Sequence, residues 1–238
     1  MPNALPTIRV EVFRARVLRS GAALKLRRRE LELLVALALQ LTPHDVIGER
    51  LWPDVAREHA HSAMRTTMHR LRGHLHDTAA IVHESGYSLA EHVRVDVREA
   101  EHALQTLLGI DRSDDFVRER SAELFGVVNF HLPAIYDSWP WFTVEKPRLL
   151  ELRRTVGLLL FHTNMETAKF AEAAYVAERL LHFDSFDEPV IALLAHALQK
   201  DGKHMEARRR VHQHADLFAR ETERKLSAEI LRLVEDSD

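Results

Sequence analysis

The chain contains no cysteine among its 238 residues. This removes disulfides, thiol nucleophiles and every zinc site built on thiolates, and it fits a reducing compartment. No apolar run approaches the roughly 20 residues needed to cross a bilayer. The opening MPNALPTIRV also lacks a basic segment leading into an apolar one, so a cytoplasmic protein without a membrane partner is expected. Catalytic signatures are missing too: there is no glycine-rich phosphate loop, no nucleophile elbow and no metalloprotease pattern, and an enzyme is not expected. Sixteen histidines are present, yet no two stand three or four residues apart, the separation that puts two ligands on one helix face. Pairs such as His59/His61, His74/His76 and His212/His214 diverge on a helix. Neither a metal nor another cofactor is expected.

What is present describes a folded chain. Hydrophobic residues make up 46% and charged residues 29%, near the globular average, and the length allows one large domain or two small ones. The net charge of -3 hides an asymmetry: residues 1–97 carry 14 Lys and Arg against 11 Asp and Glu, whereas residues 98–238 carry 19 against 25. The first part is mildly basic and the second acidic, at -6.

Alternating apolar residues from Ile8 to Lys25, with a Ser20-Gly21 turn, predict two or three short strands. RRRELELLVALALQ follows, in which Leu31, Leu34, Val35, Ala38, Leu39 and Leu41 recur at helical spacing until Pro43 closes the run. A second, short helix carries Val46, Ile47 and Leu51 and ends at Trp52-Pro53, where Trp52 reads as a core cap. A third runs from about Glu58 to His76, its apolar stripe formed by Met64, Met68, Leu71 and Leu75. IVHESGYSLA then reads as a hairpin turning at Glu84-Ser85-Gly86. Beyond Val97 helical stripes dominate, apart from an aromatic stretch from Leu132 to Pro147. There Tyr136, Trp139, Trp141 and Phe142 read as packing between the two parts in preference to a ligand cage. Lys169-Phe170-Ala171-Glu172-Ala173 and Lys203-His204-Met205-Glu206-Ala207 share Lys, Glu and Ala at an offset of 34, the tetratricopeptide period, with Ala173, Ala195 and Ala207 suited to close helix crossings.

The third helix is the most informative segment. With its apolar stripe turned inward, Ser62, Arg65, Thr66, His69 and Arg72 project the other way, with Arg70 on a flank, and no Asp or Glu occurs from Ala60 to Leu75. Arginine forks onto guanine edges and phosphates, and hydroxyl and imidazole groups reach phosphates or base edges. Acids on that face would repel phosphate. Alone, such a face is equally an ordinary solvated one. The run Arg27-Arg28-Arg29 reads as a solvated face, with a grip on the DNA backbone as the alternative.

The order of strands, three helices and hairpin, with ELELL in the first helix, LW closing the second, HRLRGHL in the third and GYSL in the wing, resembles the winged-helix domain of OmpR-type regulators. VRVDVREAEHAL, LPAIYDSW, a Leu-Arg-rich helix and the two repeats resemble the bacterial transcriptional activation domain. Together they resemble the SARP-type activators across nearly the whole chain. The resemblance implies a mainly α protein: an α+β winged helix-turn-helix at residues 1–97, then an all-α tetratricopeptide-like domain at 98–238. It also implies DNA contacts from Ser62, Arg65, Thr66, His69, Arg70 and Arg72, with the third helix in the major groove and the hairpin over the adjacent minor groove or backbone. The expected partners are double-stranded promoter DNA bound by a homodimer on direct repeats, and RNA polymerase. A small-molecule or second-messenger effector of the helical domain is a further option. The competing class is a protein-interaction adaptor whose winged helix has lost DNA affinity.

Overall fold

The computed structural model describes residues 7–40, 44–84, 86–222 and 225–235. The sequence expectations for Leu41, Pro43 and Ser85, and for the side chain of Val46, lie outside the described residues. The fold is mainly α, with a small amino-terminal sheet and winged helix-turn-helix followed by helical repeats. It divides into two compact units, residues 1–103 with 130–151, and residues 104–129 with 152–238.

In the first unit, β1 (Ile8–Glu11), β2 (Arg16–Arg19) and β3 (Ala22–Ala23) are the strands that the alternation from Ile8 predicts. Ile8, Val10 and Val17 point into the core, and β1 pairs antiparallel with β2 through Val10 opposite Val17. Three helices follow: α1 (Arg28–Ala38), α2 (His44–Leu51) and α3 (Arg57–Leu75). The hairpin of β4 (Ile81–His83) and β5 (Tyr87–Leu89) is the wing. One strand escapes the sequence reading, β6 (Arg94–Val95), which is only two residues long and joins the sheet parallel to β1.

The helix α1 is central, and its burial is not the single stripe that its leucines suggest. Every residue from Glu32 to Leu39 is withdrawn from solvent, and so is Glu30, whereas Leu31 is half-exposed. Its carboxyl end is closed by Arg98, whose Nε and Nη2 donate to the carbonyls of Ala38 and Leu37 at 3.0 and 2.8 Å, a favourable cation at the negative end of a helix. The aromatic stretch belongs to this same unit and bonds, as expected, to the chain's first 97 residues. Tyr136, Trp139, Trp141 and Phe142 are all buried, with ring centroids of Tyr136 and Phe142 4.2 Å apart. Trp141 Nε1 donates to Glu32 at 3.1 Å.

One node joins three separate segments of the unit. Asp96 opens α4 (Asp96–Leu107), and its buried carboxylate accepts the backbone N–H groups of Val12 at 2.9 Å, Phe13 at 3.2 Å and Val97 at 2.8 Å. The Val12 carbonyl in turn accepts the Tyr136 hydroxyl. Burial, foremost, and then the neighbouring Asp96 charge push that phenol well above its ordinary range.

The second unit is built of α5 (Asp115–Val128), the later turns of α6 (Phe142–Glu166), α7 (Phe170–Phe183), α8 (Glu188–Lys200), α9 (His204–Thr222) and α10 (Ala228–Glu235). Asp187 caps α8 by accepting from Val190 N at 3.3 Å and pairs with both arms of Arg154 at 2.7 and 3.3 Å. The repeat seen in the sequence is a repeat of hydrogen bonds. Lys169 N donates to Asn164 O at 2.7 Å and Lys203 N to Leu198 O at 2.8 Å, each across a residue in left-handed backbone, Ala168 (φ 56°) or Gly202 (φ 74°). Ala173 and Ala207, also 34 apart, are fully buried where the helices cross, as is Ala195.

Burial, against the pull of its three N–H donors, pushes the Asp96 carboxyl up to about 6; an unfolded Asp titrates near about 3.9. Between those values the folded protein holds a proton that the unfolded chain has released, so this group's contribution to stability is lost as pH rises from about 4 to 6. Urea unfolding from pH 4 to 7 should show the wild type losing up to about 3 kcal/mol relative to Asp96→Asn. The opposite slope would mean that the donors outweigh burial.

Candidate nucleic-acid interface

The site is the outward face of α3, and the sequence dictates which face that is. Ala60, Met64, Met68, Leu71 and Leu75 recur every three to four residues and are buried to within 1% of complete, each Met or Leu contributing about 1.5–3 kcal/mol. This leaves Ser62, Arg65, Thr66, His69 and Arg70 exposed along one ridge. Among the described residues neither Arg65 nor Arg70 is engaged in an ion pair. The Thr66 hydroxyl donates back to the Ser62 carbonyl at 3.0 Å, which spends its proton inside the helix and leaves an acceptor oxygen and a methyl group for an incoming surface.

Two polar contacts hold α3 to its neighbours, and a third fixes the helices beneath it. Arg29 donates from one nitrogen to Glu32 at 2.6 Å and to the Leu51 carbonyl at 2.9 Å, tying the start of α1 to the end of α2. Its guanidinium also lies 5.7 Å from the half-buried Trp52 ring, so this member of the arginine run is structural and Trp52 is less enclosed than a core cap. Glu30 accepts the Arg27 N–H at 2.9 Å and holds His74 Nδ1 at 2.9 Å, fixing the last turn of α3 on α1. Arg72 donates from Nη2 to the Ile81 carbonyl at 2.9 Å, joining α3 to the first wing strand. Between α2 and α3 the approach is close: a Cβ on Gly48 would come within 3.0 Å of the His61 ring.

The structure therefore brings five of the six sequence-predicted residues onto one exposed ridge and places Arg72 apart from them, half-buried with one guanidinium nitrogen on the wing backbone. Reading the sequence missed Glu30 and His74 as positioning residues. The available signal was Glu30 and Glu32 standing two apart in a helix that is otherwise apolar after Arg29, a spacing that points to different sides. The wing offers little cation: His83 and Glu84 are exposed and Tyr87 packs on His83 with ring centroids 4.5 Å apart. Elsewhere Asp77 binds the Ala79 N–H at 2.9 Å and His92 at 2.8 Å, securing the turn that leads into the wing.

No protein-family model and no curated protein matches the chain. Among solved structures, Mycobacterium tuberculosis EmbR in complex with a low affinity phosphopeptide matches with a TM-score of 0.70 at 12% sequence identity, over 93% of this chain. That is a likeness of fold. The chain spans 62% of the length of the EmbR chain.

These geometries separate two kinds of arginine by stability alone. Arg65→Ala and Arg70→Ala should change unfolding free energy by less than about 0.5 kcal/mol. Arg72→Ala, which frees the Ile81 carbonyl, should cost about 1–2 kcal/mol. Urea titrations of the three variants check this, and an Arg72→Ala protein as stable as the other two would remove the wing clamp from the account.

Proposed function

We propose that the protein is a sequence-specific DNA-binding transcriptional regulator of the SARP type. The observation that carries this reading is the exposed ridge of α3, Ser62, Arg65, Thr66, His69 and Arg70, which holds donors and no carboxylate. Arg65 and Arg70 supply phosphate or guanine contacts, the Thr66 methyl suits the thymine methyl, and Ser62 and His69 reach the backbone or base edges. Arg72 keeps the wing in register with the ridge, and Nη1, its one nitrogen neither buried nor bonded to the wing, reaches a phosphate at the groove edge. The resemblance of the sequence to SARP-type activators and the fold shared with EmbR support the reading from two directions.

A single recognition helix covers only a few base pairs, so the protein acts as two copies on direct repeats spaced near one helical turn. The acidic second part, -6 over residues 98–238, disfavours phosphate and suits it to hold RNA polymerase or another protein partner, which makes the regulator an activator. An adaptor without DNA affinity has no need of an acid-free ridge.

Selection from random duplexes with the full-length chain tests the reading. Enrichment of a short motif present in two direct copies is expected. Binding should fall steeply with salt, and Arg65→Ala or Arg70→Ala should cost about 1–3 kcal/mol and lower the salt slope by about one. No enrichment, or unchanged affinity in the Arg65→Ala, Arg70→Ala double variant, would favour the adaptor.

A further inference from the structure

The two structural repeats of the second unit differ at one buried position. Where the second repeat carries Leu198, 4% exposed, the first carries Asn164, also 4% exposed, and both backbone carbonyls accept the same lysine N–H across the same left-handed turn. Leucine at such a place fills the core. The Asn164 side-chain amide instead has no hydrogen-bond partner among the described residues, and it lines a cleft of about 330 Å³ bounded by α5, α6 and α7. The amide's polar atoms are not closed off from the cleft, so a group that enters it can bond to them directly. The volume is at the lower end of that of small-molecule sites, roughly 300–1,000 Å³.

The rest of the lining describes the occupant. Phe125, Leu160 and Val176 present apolar surface, and the exposed Tyr175 ring stands at the edge. Gly126 leaves the wall open: a Cβ there would meet nothing within 4 Å, so no neighbour requires a glycine that costs its helix roughly 1 kcal/mol relative to alanine. The cleft's one cation, Arg118, is already paired with Asp115 at 3.2 Å and Glu119 at 3.5 Å, whereas Glu172 forms no ion pair among the described residues. The local field therefore opposes anions. Asn129 uses its oxygen on Arg179 at 3.4 Å and keeps its N–H groups, and Asn164 offers both a donor and an acceptor.

We propose that this cleft binds a small uncharged or cationic molecule with an apolar body and one amide-like group, which pairs with Asn164. The site lies within one compact unit, and its test involves no DNA, so its outcome is independent of the function assigned to α3.

The probes are three isosteric fragments, benzamide, benzamidine and benzoate, titrated against the full-length chain by saturation-transfer NMR and by thermal melting. Benzamide and benzamidine should bind in the millimolar range, with benzoate weaker by about tenfold or more. Gly126→Leu, which closes the cleft while improving helix propensity, should abolish binding without lowering the melting temperature. Asn164→Leu, the residue of the second repeat, should raise the melting temperature of the ligand-free protein and weaken benzamide by about tenfold. The proposal is overturned by an absence of signal from all three fragments, by benzoate binding as well as benzamide, by unchanged binding in Gly126→Leu, or by an Asn164→Leu protein less stable than wild type.

Discussion

The seat of α3 on the first unit's core is the constraint from which the rest of the account follows. Five apolar residues from Ala60 to Leu75 are removed from water. Their burial is worth several times the roughly 1 kcal/mol that a single hydrogen bond contributes net. Hydrophobic packing therefore decides that α3 docks at all and which side turns outward. The polar contacts decide something smaller and more exact: Glu30 on His74 and Arg72 on the Ile81 carbonyl fix its rotation and distance, and Arg29 on the end of α2 fixes the helices it packs on. Each of the three ties together residues that the apolar pattern alone leaves free to slide by a fraction of a turn. The groove contact proposed for this ridge needs that second level of control, because a donor displaced by an ångström no longer meets its acceptor.

Much of this was legible in the sequence. The stripe Met64, Met68, Leu71, Leu75 has helical period, the strands from Ile8 to Arg19 alternate, and the offset of 34 between the Lys169 and Lys203 segments recurs in space as matching backbone bonds. These are local signals, written in residues a few positions apart. What escaped has long reach or contradicts a local pattern. β6 is too short to alternate. Glu30 and Glu32 look like surface residues of an amphipathic helix until Trp141, His74 and Arg29 are seen around them. Arg72 sits at a helical position shared with the ridge, and only the fold shows that its guanidinium turns to the wing. The return of residues 130–151 to the first unit rests on contacts such as Tyr136 with Val12, 124 positions apart, which leave no periodicity to read.

The same comparison of pattern with structure distinguishes stability from purpose in the second unit. Ala173 and Ala207 occupy equivalent, fully buried positions and are identical because close packing of the helices requires a small residue there. Asn164 and Leu198 are equally equivalent and equally buried, yet chemically opposite. Packing explains the first pair completely and the second pair not at all. In the first unit the ridge of α3 has the same character, with Arg65 and Arg70 in no ion pair among the described residues above a fully buried apolar stripe.

The most direct test of the central claim is a contact map of the ridge itself. A photoreactive benzoylphenylalanine placed at Thr66 in the full-length chain, irradiated on a duplex enriched by selection, should cross-link to bases within the enriched motif, while the same group at Met205, on an exposed position of the second unit, should not. Cross-linking of equal yield from both positions, or none from residue 66 on a duplex that the protein demonstrably occupies, would contradict the assignment of α3 as the reading helix.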